Sequence, residues 1–128
     1  MKTNYKLAIA MLAGVALGAA AVQGLHAQAK PPAFVISEID VSNKEAFAKD
    51  YVPLAVKALK ESGQKQIVSG GKTASISGEP PKGRIVVSIF ESLEKAQAAY
   101  ASQAYLDARK VGDQLAKFRI YAVEGLAQ

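Results

Sequence analysis

The chain contains no cysteine and no tryptophan, and its single histidine is His26. Without cysteine there are no disulfides, no thiolate nucleophile and no Cys-ligated zinc or iron–sulfur site. One histidine leaves no His-rich metal centre and little scope for imidazole acid–base chemistry. Aromatic residues make up only 7% of the chain. No G-x-x-x-x-G-K-[ST] or G-x-G-x-x-G occurs, so Gly70, Gly71 and Gly78 read as turn and bulge residues, not as a phosphate cradle. The acids show no EF-hand spacing, so neither a metal nor a prosthetic cofactor is expected. A length of 128 residues allows one ordinary domain.

What is present begins with an export pattern. Lys2 and Lys6 give a positive start, and Leu7 to Val22 is an uncharged, apolar run. Ala27-Gln28-Ala29 supplies a small-residue cleavage site. These are the three parts of a secretory signal peptide, with cleavage expected after Ala29, or alternatively after Ala27. The run falls short of the roughly 20 residues of a spanning helix, which disfavours the other reading, a retained membrane anchor. Residues 1–29 are therefore expected to be the signal and 30–128 the domain, in a periplasmic or secreted protein. Any membrane contact would then come only through an uncleaved signal. Cleavage removes His26, Lys2 and Lys6 and lowers the net charge from +5 to +3. No basic block follows Ala29, and the aromatic signature of RNA-binding domains is missing, so nucleic acid is not expected as a partner.

The domain reads as alternating strands and helices. Ala33 to Val41 and Arg84 to Phe90 are the most strand-like stretches, rich in Val, Ile and Phe. Ser42 to Glu45 fits a capping box, with Ser42 as N-cap and Glu45 reaching back. Phe47, Tyr51, Leu54, Ala55, Ala58 and Leu59 follow at helical spacing. Pro53 predicts a kink or break near Tyr51-Val52, and Gly63 a stop. Gln66–Ser69 and Lys72–Ser77 form a Gly-broken edge-strand region, with a loop over 78–83. Ser92 caps a second helix. Ser102 caps a further helical segment from Gln103 to about Lys117, and without a histidine beside it reads as a cap and not a nucleophile. Phe118 to Glu124 closes the chain as a strand.

The order β-α-β-β-α-β is that of an α+β, ferredoxin-like plait: a four-stranded antiparallel sheet with two helices on one face. The first and third strands fall in the centre and carry apolar residues on both faces. A solvated second face should alternate with polar residues. The second face is therefore expected to pack on a second copy, giving a homodimer and a dimeric α+β barrel with a central lumen.

The mature segment resembles the domain of unknown function 1330 family of the dimeric α+β-barrel superfamily. Ala33-Phe34-Val35-Ile36 with Glu38 resembles the family's opening strand, and Tyr51 falls where a helix tyrosine is usual. Gly63, Gly70-Gly71, Gly78 and Pro80-Pro81 fall in familiar positions. Phe90-Glu91-Ser92 matches Phe-x-Ser. Ser102-Gln103-Ala104-Tyr105 with Arg109 resembles Ser-Pro-Glu-Tyr…Arg. Gln103-Ala104 replaces Pro-Glu, Ala99 stands where Trp is common, and Ser77 where Glu is often found. The resemblance implies fold and assembly more than activity; related barrels suggest cofactor-free proton transfer or rearrangement.

Glu38, Tyr51, Tyr105 and Arg109 are the candidate site residues. A lumen-facing Glu38 could serve as acid or base; its structural alternative is an ion pair with Arg84 or Arg119. Tyr105 and Arg109 lie one helical turn apart and suit a carboxylate, enolate or phenolate oxygen. Their alternative is helix packing, with Arg109 paired to Asp113. The expected function is binding, or cofactor-free transformation, of a small apolar or aromatic molecule in the inter-sheet cavity. The alternative is a non-catalytic interaction module. A lumen filled by Phe34, Ile36, Val86 and Phe90 would favour the latter.

Overall fold

The computed structural model describes residues 30–127. The signal expected over 1–29 lies outside the described residues. Four strands form one antiparallel sheet: β1 (Ala33–Val41), β2 (Lys65–Ser69), β3 (Arg84–Phe90) and β4 (Ala116–Glu124), in the order β2-β3-β1-β4. This is the ferredoxin-like arrangement, with β1 and β3 central as their apolar composition requires.

The helices cover one face. A helical turn α1 (Lys44–Ala46) runs into a π-helical turn π1 (Phe47–Tyr51) and on into α2 (Val52–Glu61). Beyond β3 come α3 (Leu93–Tyr100) and α4 (Gln103–Gly112). Pro53 explains the π turn. A proline offers no N–H to the carbonyl four residues back and clashes with it. The wider turn immediately before it lets the helix continue, where the sequence suggested a kink or break. Phe47 and Tyr51 both point into the core from this turn.

Three local readings are corrected. The N-cap is Asn43, whose Oδ1 accepts from the Ala46 N–H at 3.1 Å, and not Ser42. Ser42 is tied to the other end of the fold, its hydroxyl and amide both donating to the Leu115 carbonyl at 2.9 Å. Lys72–Ser77 is not a strand: β3 begins only at Arg84, so these exposed residues have no strand to pair with. The last helix ends at Gly112, not near Lys117, because Gly112 packs against the Tyr51 and Phe118 rings and a turn to Leu115 starts β4 at Ala116. Ser92 and Ser102 cap their helices as expected, accepting from Lys95 N–H and Tyr105 N–H.

The register assigns the faces. Ala33, Val35, Ser37 and Ile39 on β1, with Val86, Ser88 and Phe90 on β3, lie under the helices. Phe34, Ile36 and Glu38 share the opposite face with Ile85, Val87 and Ile89, extended by Tyr121 and Val123 of β4. Phe34, Ile36, Val86 and Phe90 therefore do not line one lumen: Phe90, 1% exposed, belongs to the helix-side core.

Candidate functional site

Two of the four candidate residues meet. Tyr51 ends π1 and Tyr105 lies in the first turn of α4, and both project into a pocket between the helices and the sheet. Its volume is about 80 Å³, room for several water molecules or a compact ligand. Ile39, Val52, Ala55, Leu59 and Val86 supply apolar wall; Ser37, Gln64, Gln66, Ser69, Arg84 and Tyr100 supply polar groups.

The sequence places these polar groups by local means. Gly63 turns the chain out of α2, and the following Gln64 donates from Nε2 to the Ser88 hydroxyl at 2.7 Å. Ser37 and Ser88 are inward positions of the two central strands, buried among apolar neighbours. Tyr100 ends α3 and meets Tyr105 edge-on, with ring centroids 4.7 Å apart. Tyr51 packs between Phe47 and Phe118.

Tyr105 is 2% exposed, and its hydroxyl has no hydrogen-bond partner. The Tyr51 hydroxyl and the Arg109 guanidinium approach it, yet neither is placed to complete a well-formed hydrogen bond. Buried polar groups are rarely left so. Burial, helped by the neighbouring Tyr105, pushes the Tyr51 hydroxyl well above the ordinary phenol range. The same two causes, with Ser37 and Gln64 opposing, raise Tyr100 to about 12. At neutral pH both are protonated, so they act as hydrogen-bond donors and not as bases.

The other two candidates lie elsewhere. Glu38 is on the opposite face of the sheet, accepting from Arg119 Nη1 at 3.1 Å. Arg109 does not line the pocket. Its guanidinium donates to Asp113 Oδ1 at 2.9 and 3.0 Å and stacks on Phe118, 4.0 Å from the ring centroid. Burial works against its charge, and the approach of Tyr105 and Asp113 outweighs that, raising its pKa. Tyr100, Gln64, Gln66, Ser37 and Ser69 were not singled out from the sequence as site residues. Serine at two inward positions of otherwise apolar strands was the available signal. Among the described residues no group of three His, Asp or Glu side chains could hold a metal ion, and no helix there is long and apolar enough to cross a membrane.

Several solved structures share this fold. The methylated RPA0582 protein, from Rhodopseudomonas palustris, superposes with a TM-score of 0.58 at 15% identity, covering 76% of this chain and 82% of its own. SnoaB, a cofactor-independent oxygenase from Streptomyces nogalater, gives 0.56 at 7% identity, covering 77% and 96%. A conserved protein of unknown function from Bacteroides thetaiotaomicron gives 0.51 at 14% identity, covering 76% and 100%. These likenesses show the fold alone. No curated protein matches the sequence. The domain of unknown function (DUF1330) family matches residues 32–126, nearly all of the described fold, and the chain belongs to that family.

Proposed function

We propose that the protein is an exported homodimer that binds a small, largely apolar or aromatic molecule in the pocket between its helices and its sheet. The observation that carries this is the unpartnered Tyr105 hydroxyl, buried in a pocket with mostly apolar walls. An apolar ligand bearing one oxygen function would fill the space and satisfy that hydroxyl. The position differs from the inter-sheet lumen expected from sequence, because Tyr51 and Tyr105 face the helix side. Tyr51 and Tyr100, held protonated, suit stabilisation of a developing oxyanion. That would serve a substrate supplying its own reactivity, and likeness in fold to a cofactor-independent oxygenase is compatible with it.

Dimerisation is supported by the open sheet face, where Phe34, Ile36, Ile85, Val87 and Ile89 form an apolar surface across β1 and β3. Its most economical cover is the same face of a second copy. Export is supported by the pattern of residues 1–29.

The test is native mass spectrometry of protein purified from its own periplasm. The expected result is a small molecule that remains bound in the native state and is lost on denaturation. Its N-terminus should be Lys30 or Gln28. Protein that is empty in every preparation and indifferent to small aromatic ligands would leave the interaction module as the better reading; an intact Met1 would restore the anchor.

A further inference from the structure

The chain has three arginines, and the structure partners two of them with acids. Arg109 is paired with Asp113 and Arg119 with Glu38. Among the described residues no ion pair involves the third, Arg84. Arg84 stands opposite Ile39 in the register, on the helix-side face, and lines the tyrosine pocket. Its Nη2 donates to the Ser69 hydroxyl at 3.1 Å, while its Nε is buried with no partner. A half-buried guanidinium with an unsatisfied donor and no counter-ion is costly to hold.

Two glycines build the position. Gly83 has φ +72°, and a Cβ there would lie 2.1 Å from the Ile39 carbonyl oxygen, so only glycine brings the chain into β3 this closely. Gly70 has φ +66°, and its missing side chain leaves room for the guanidinium, which would stand 3.2–3.3 Å from a Cβ. Arg84 also forms part of the wall of a neighbouring cleft of about 560 Å³ that includes Asp40 and Lys44. Asp40 is in that cleft without forming an ion pair with Arg84.

We propose that Arg84 is the anchor for the carboxylate of a small organic acid, whose apolar body occupies the tyrosine pocket. The proposal rests on the pocket reading above and adds the charge of the ligand. A carboxylate matches the fork of a guanidinium and supplies the missing acceptor for Nε. Val52, Ala55 and Leu59 suit a hydrocarbon body. The second orphaned group, the Tyr105 hydroxyl, lies at the same pocket and would meet a further oxygen on the acid. The volume restricts the body to a compact one, well below the roughly 300 Å³ of drug-sized sites.

The experiment is calorimetric titration of the purified protein with isobutyrate and with isobutanol, which share a compact branched body that suits the pocket and differ in charge. Isobutyrate is expected to bind at least about tenfold more tightly, close to 1.4 kcal/mol. Arg84→Gln should abolish that preference, and Arg119→Gln, on the other face, should keep it. Arg84→Lys, which retains charge without the fork, should keep a reduced preference; it and the wild-type comparison decide the matter if Arg84→Gln does not fold. Equal binding of the two ligands, or a preference that survives in Arg84→Gln, overturns the carboxylate anchor and leaves the pocket reading standing. Binding of neither overturns both.

Discussion

Tyr100 meets Tyr105 edge-on, and Tyr51 packs against Phe47 and Phe118 beside them, at the same pocket. Burial makes Tyr51 and Tyr100 hold their protons more tightly in the folded state. Tyr100 rises from 10.0 to about 12, chiefly by burial. The folded pKa is the higher one, so the associated stability is complete below pH 10 and declines as pH rises from 10 toward 12. Denaturation midpoints measured across that window should fall, and Tyr100→Phe should flatten the decline. An unchanged midpoint in the wild type would show that Tyr100 is not shielded. Burial of Tyr51 and Tyr105 was legible from their helical spacing with Ala55, Ala58 and Ala108. Their separation from Glu38 was not. A two-residue period says that Phe34, Ile36 and Glu38 share a face, but not which face the helices cover. Nor does it say how two strands are phased: Phe34 and Ile36 were grouped with Val86 and Phe90, whereas the register sets them opposite Ile89 and Val87. Arg84 was considered only as a partner for Glu38, from which the sheet separates it.

Among the elements, the approach of α4 to π1 shapes the pocket. Gly112 stands so near Tyr51 that a Cβ would lie 2.7 Å from its ring and 3.0 Å from that of Phe118. Gly112→Ala must displace one aromatic ring or the helix, and a loss of about 1–3 kcal/mol is expected, read by chemical denaturation. A neutral substitution would mean that the ring moves freely and that the pocket wall is not fixed there. The strands β1 and β3 were legible to their end residues, because apolar composition and flanking polar residues agreed. The capping error has a simple cause. Ser42 and Asn43 are adjacent and both good N-caps, and tertiary bonding to Leu115 draws Ser42 away. Lys72–Ser77 was read as part of an edge strand broken at Gly70-Gly71, but β2 stops at Ser69 and these exposed residues run on as loop to Arg84.

In the whole molecule the sheet divides two apolar environments, one covered by helices and one open. Substitutions on the two sides should separate cleanly. Ile36→Glu places a charge on the open face and, on the proposed dimer, should give a folded monomer by light scattering and circular dichroism. Phe90→Glu places one in the core, at a side chain 1% exposed, and should unfold the protein. An Ile36→Glu variant that keeps a dimeric mass would remove that face from the interface. The β2 edge bears on the same question. It carries a register shift between Gln66 and Val68, a lysine at its start and a left-handed glycine directly after its end. A bulged, charged and short margin is a poor template for a further strand. Pairing of a further strand along β2 is thereby disfavoured, which leaves the broad face as the surface for the proposed dimer.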